Sequence, residues 1–155
     1  LTEHPDYALH VAGNMGVNEY IYHNGDSNTY IRFQNDDINV QAGGKSFIKI
    51  DEGDGIIKIN NGNNNIDFRI KDDYSHVLFH ADAGNSNIGI GISSPNTSAI
   101  LEMSSSNKGM MLPRVLEASK PTATSALNGL MLYEEDTHRL KIVANGEWQT
   151  ISFEH

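Results

Sequence analysis

Four groups of carboxylates carry most of the potential chemistry of this 155-residue chain: Asp36-Asp37, Asp51-Glu52 with Asp54, Asp72-Asp73, and Glu134-Glu135-Asp136. A glycosidase needs two carboxyls facing each other across a sugar, about 5–9.5 Å apart and usually drawn from different strands. Each group here lies in a predicted turn beside Gly or Asn, where Asp is favoured for backbone reasons. Solvated turns are therefore the expectation. Asp51-Glu-Gly-Asp-Gly55 and Asn60-Asn-Gly-Asn-Asn-Asn65 offer oxygen ligands, but they lack the spacing and closing Glu of a calcium loop. The seven histidines are scattered, with no His-x-x-x-His pair to seed a metal site. His10 and His80 have apolar neighbours and are expected on strand faces; the alternative is an ion on a three-fold axis, which needs one histidine per chain. No phosphate loop or nucleophile elbow occurs, and Gly89-Ile-Gly91 lacks the third glycine of a dinucleotide fingerprint. The chain has no cysteine, hence no disulfide framework and no thiolate chemistry. These residues predict no catalytic site, no cofactor and no metal centre.

The elements that would position such groups are short. Apolar residues make up 38% of the chain, and Asn, Gly, Ser and Asp fill the deficit, which predicts many small strands joined by tight turns. Apolar and polar residues alternate in Glu19–His23, Thr29–Phe33, Asp37–Gln41, Ser46–Ile50, Gly55–Asn60 and Asn65–Ile70, at spacings near ten residues. Tyr7–Val11 is a further strand candidate. Asn24-Gly25-Asp26 and Asn145-Gly146 are hairpin signals. Pro113–Pro121 is the only segment suited to a turn or two of helix. Beyond it, Leu130–Tyr133, Arg139–Val143 and Trp148–Phe153 read as a three-strand meander. The net charge of −9 disfavours binding to nucleic acid or anionic lipid, and no apolar run approaches the ~20 residues of a membrane span.

The most distinctive stretch is Asn87-Ile-Gly-Ile-Gly-Ile-Ser-Ser-Pro95. Ile88, Ile90 and Ile92 fall on every second residue, so an extended chain would place all three on one face and leave the other nearly bare. A bare face is useful where backbone approaches closely or the strand bends. Ala8–Val17 and Ile100–Leu112 echo the pattern of Leu78–Ile90, which suggests a reused strand–turn–strand module. Each strand has one apolar face and too few residues to bury it alone. Oligomerisation is the obvious substitute for a core in a chain without cysteine. Ile88, Ile90 and Ile92, with Leu101 and Met103, are the predicted interface.

Asn87–Pro95, preceded by Leu78-Phe-His-Ala-Asp-Ala-Gly-Asn85, resembles the Gly-Ile-Gly module of modular tail fibres of tailed bacteriophages, especially marine ones. Glu19–Phe33 and Ile66–Ile70 are similar to other segments of those fibres, and Asn107–Arg114 through Trp148 resembles a block near the end of many phage and bacterial surface proteins. The resemblance implies an all-β, elongated fibrous homotrimer of short strands, in interlaced β-prism or triple β-helix-like modules, with a small C-terminal β-meander. It also implies a virion tail protein, extracellular, that contacts other virion tail proteins and a host glycan or protein receptor. Residues 1–75 would form shaft modules, 76–112 the Gly-Ile-Gly trimerisation module, and 113–155 the meander and tip. Receptor contact is expected near the meander, where Tyr133, His138, Arg139 and Trp148 offer aromatic and charged groups. A bacterial adhesin of the same modules and a tailspike-like depolymerase are the alternatives.

Overall fold

Period-two alternation of this kind stabilises a structure only when each strand finds a neighbour in register. A computed structural model describes residues 9–152. The chain divides into two compact units between Ser104 and Ser105, and its described strands form three sheets.

The first sheet is a five-stranded antiparallel meander of β1 (Tyr20–His23), β2 (Asp26–Gln34), β3 (Asp37–Ala42), β4 (Lys45–Asp51) and β5 (Ile56–Ile59). The register sorts most of the side chains by face, with Ile56 opposite Asp51 as an exception. One row aligns Ile21, Ile31, Val40, Ile48 and Ile59, and the next aligns Phe33, Ile38, Ile50 and Ile57. The rows between them, on the other face, hold Tyr20, Arg32, Asn39, Lys49 and Lys58. On that polar face Asp51 Oδ2 accepts from Lys49 Nζ at 2.9 Å and Lys58 Nζ at 2.8 Å. The two lysines also reach Asp37 and Asp54. Hydrogen bonds from Lys58, then Lys49, hold the Asp51 carboxyl well below the usual carboxylate range. Tyr20, Tyr22 and Tyr30 cluster beside this network, with the Tyr22 and Tyr30 ring centroids 5.5 Å apart across the β1–β2 pair.

The second sheet, still in the first unit, has the order β6 (Phe68–Lys71), β7 (Val77–Asp82), β8 (Asn87–Ile90), β9 (Leu101–Met103). Its first strand lies on the N-terminal side of the 75/76 boundary expected from sequence. β8 and β9 are parallel, so residues 91–100 must carry the chain back across the sheet. In the second unit, β10 (Arg114–Val115) runs parallel to β11 (Met131–Glu134). The antiparallel strands β12 (Arg139–Ala144) and β13 (Glu147–Thr150) follow.

The meander and its last turn agree with the sequence reading. Ala144 pairs with Glu147 across Asn145-Gly146, and both turn residues have positive φ, the left-handed pair that a two-residue hairpin favours. The segment between Pro113 and Pro121 differs. Instead of a turn or two of α-helix it supplies β10 and one 3-10 turn at Glu117–Ser119, because the backbone of β11 is available on that side: Tyr133 N–H donates to Pro113 and Glu135 N–H to Val115. The sequence echoes do not share one structure either. Leu78–Ile90 is the β7–β8 hairpin, flanked by β6 and β9, whereas residues 9–17 form no strand because no neighbouring strand pairs with them. Tyr7, Ala8 and Phe153 lie outside the described residues.

Glycine has a specific role at the end of β8. Gly91 has φ +72°, which turns the chain out of the strand after Ile90. A side chain there would also run into the Ser104 carbonyl oxygen. Gly91→Ala is expected to cost about 1–3 kcal/mol from backbone strain alone and to lower the thermal midpoint. Gly109→Ala, at an open position without positive φ, is expected to leave the midpoint unchanged.

Candidate functional site

The register of the second sheet brings Phe68, Ile70, Phe79, Ala81, Ile88, Ile90, Leu101 and Met103 onto one face. Every residue on that face is apolar, and within one chain the face is open. Ile70 is 47% exposed, Leu101 50%, and Met103 46%. Four of the five predicted interface residues, Ile88, Ile90, Leu101 and Met103, are therefore neighbours on two parallel strands.

Ile92 is the exception. β8 ends at Ile90, and the turn at Gly91 folds the following residues over the opposite face. A β-carbon on Gly89 would stand 2.7 Å from the Ile92 carbonyl oxygen, 2.8 Å from Pro95 Cγ and 2.9 Å from Ile92 Cγ2. Ile92 thus lies on the glycine side, and the file of three isoleucines is a file of two. The bare face expected to receive another chain's backbone is occupied by this chain's own residues 92–95. Asn96 locks that strap in place. Its carbonyl accepts from Asn87 Nδ2 at 3.1 Å, and its N–H donates to Glu102 Oε2 at 2.6 Å.

The same covered face holds the fully buried His80, in register with Gly89. His80 Nε2 is 3.2 Å from Asp67 Oδ2, without the alignment of a hydrogen bond, and among the described residues neither ring nitrogen nor Asn87 Oδ1 has a hydrogen-bond partner. His80 therefore lies on the sheet face opposite the isoleucines, while His10 is exposed and outside any strand. Among the described residues no three His, Asp or Glu side chains converge as metal ligands.

The four residues proposed from sequence for receptor contact are divided by the second unit's sheet. Tyr133 pairs with Leu140 and Val143 with Trp148, which places the tyrosine and the tryptophan on opposite faces. Tyr133 keeps His138 nearby, with ring centroids 6.5 Å apart, and Arg139 is exposed. Trp148 shares its face with the buried Leu132 and Val143. Its indole N–H donates to the Pro121 carbonyl at 3.0 Å, and the Lys120 ammonium lies 5.7 Å from its ring centroid. Glu134, also buried on this face, accepts from Lys120 and Thr137 and lies 3.5 Å from Lys141 Nζ. Lys120 is fourteen residues from Glu134 in sequence, so no local pattern announces this ion cluster.

Residues 89–154 match a family model described as a phage tail like trimerisation region. The match supports a phage tail structural protein, a component of the virion, that assembles as a homotrimer. No curated protein and no solved structure matches the chain. The trimerisation region begins inside β8 and takes in Ile90, Leu101 and Met103 from the open apolar face, together with β10–β13.

Two outcomes test this geometry. Ile90→Asp places a charge in the middle of the open face and is expected to dissociate or aggregate the assembly in light scattering, whereas Ser94→Asp, on the exposed part of the strap, is expected to leave the mass unchanged. The Glu134 carboxyl is lowered from 4.5 to about 2, first by the Lys120 hydrogen bond and then by Thr137. Because the folded-state value is depressed, the stabilisation is complete above about pH 4.5 and is lost as pH falls towards 2. An acid titration followed by Trp148 fluorescence is expected to show this loss, and Glu134→Gln is expected to remove that part of the pH dependence.

Proposed function

We propose that the chain is a non-enzymatic segment of a trimeric tail fibre of the modular Gly-Ile-Gly type, extracellular on the virion. In this reading it links other tail proteins to a host surface glycan or protein receptor. The observation that carries the reading is the open apolar face of Phe68, Ile70, Ile90, Leu101 and Met103, which runs into the segment matched by the trimerisation region. Three copies that turn this face towards a common axis bury it in a β-prism, and the polar strap, with His80 and Glu102 beneath it, stays outward.

Receptor contact, on this reading, falls to side chains that an axial core leaves outside. His138 and Arg139 suit that role better than Trp148, which is already engaged by Pro121 and Lys120. Several of the turn carboxylates are engaged by the chain's own groups: Asp72 accepts from the N–H groups of Tyr74 and His76, Asp51 from Lys49 and Lys58, and Asp136 from the N–H of Glu117. This supports a structural rather than a catalytic role for them.

Immunogold electron microscopy with antibody against the purified chain tests the assignment. Gold on the tails of virions is expected. Gold on the surface of uninfected bacteria would overturn the virion assignment, and release of reducing ends from host polysaccharide by the purified chain would overturn the non-enzymatic one.

A further inference from the structure

The five-stranded sheet lies wholly outside the matched region, yet it poses the same physical problem in a stronger form. Its inner rows contain only Ile, Val and Phe, without a charged or hydrogen-bonding side chain. Ile48 is 38% exposed, Ile50 43%, Ile57 67% and Ile59 42%. Nothing in the described chain covers them. The opposite face carries the lysine–aspartate network and is suited to water.

We infer that this sheet is itself a contact surface for two further copies of the same chain, forming a second intersubunit core separate from the matched trimerisation region. The inference rests on the trimer proposed above.

Three observations select a copy of this chain as the occupant. First, the face is continuous with that of the second sheet. Ile59 lines a groove of about 550 Å³ together with Phe68, Phe79 and Ile88, with Asn60, Asp82, Ser86 and Asn87 also in its lining, so apolar side chains of both sheets meet in one groove. An axis that buries the second face therefore has the first beside it. Second, the face is uniform and uncharged, so it complements itself, and three identical faces around an axis close without leaving a charge unpaired. Third, the area fits. The chain exposes 12034 Å², whereas two separate compact globules of the units' sizes would expose about 9,200 Å². The difference of roughly 2,800 Å² is in the range that obligate interfaces bury. The face of the second sheet, with its shorter strands, supplies only part of it.

Val40 is the probe. It sits on the central strand β3, between Ile31 and Ile48, where three such sheets would bring their side chains closest to the axis. The chain has no cysteine, so Val40→Cys introduces a single, small, apolar thiol. Asn39→Cys, one residue away and on the polar face, is the control. Full-length variants that keep the far-UV spectrum are treated with a short bismaleimide, run on a denaturing gel, and weighed by light scattering. The expected result is a trimer in which Val40→Cys gives at least tenfold more two-chain product than Asn39→Cys. A trimer whose Val40→Cys thiol gives no excess two-chain product overturns the inference and leaves the trimeric reading intact. A monomer overturns both. If Val40→Cys does not fold, Ile48→Cys on the adjacent strand carries the same test.

Discussion

Burial of aliphatic side chains is the main favourable term in folding, about 25 cal/mol per Å², and a single copy of this chain leaves a large part of it unrealised, with Ile48 38%, Ile50 43% and Ile57 67% exposed. Among the described residues the buried apolar side chains are Leu132 and Val143 in the second unit and, in the first, Pro95 of the strap, which belongs to neither isoleucine-bearing face. The first unit places its isoleucines in two ordered rows on one face of a sheet and repeats the device in the next sheet. Sheets whose strands run from three to nine residues and whose one apolar face is open must bury that face against another element. They become stable when the face is covered, and for the second sheet the match of residues 89–154 to a trimerisation region supports a further copy of the chain as the cover.

The other features follow from that constraint. If the core is shared between subunits, each sheet needs one face for the core and one for solvent. The polar faces are accordingly tied down by local contacts: the Asp51–Lys49–Lys58 network on the first sheet and the strap at Asn96 on the second. Gly89 and Gly91 serve the second arrangement. One accepts the close approach of Ile92 and Pro95, and the other turns the chain so that β9 can join as a parallel neighbour. In the second unit residues 116–129 supply Lys120 and Pro121 to one face of the sheet, which is why its two buried aliphatics occur there. The other face, with Met131, Tyr133 and Ile142, is half-buried.

Strand positions were legible because period-two alternation is a local property: Ile38 and Val40, or Ile48 and Ile50, announce a one-sided strand without any knowledge of neighbours. The Asn145-Gly146 turn was legible for the same reason, since its left-handed backbone is written in its residue types. Register and pairing were not local, and the errors fall there. Ile92 continues the alternation of Ile88 and Ile90 in sequence, but Gly91 breaks the strand between them. β10 exists because β11 offers an edge to it, which residues 113–121 alone do not reveal. Tyr133 and Trp148 share a meander, but whether they share a face depends on the parity of a four-residue turn at 135–138, and that parity is set by pairing. The buried His80 and the Lys120–Glu134 contact were invisible for the same reason, each being made by segments that meet only in the fold.

The central claim is that the apolar core belongs to the assembly and not to the chain. Sedimentation velocity and far-UV circular dichroism across one dilution series test it most directly. A shared core requires trimer mass and β-sheet signal to be lost together as concentration falls. A diluted monomer that retains the full β-sheet spectrum would contradict it.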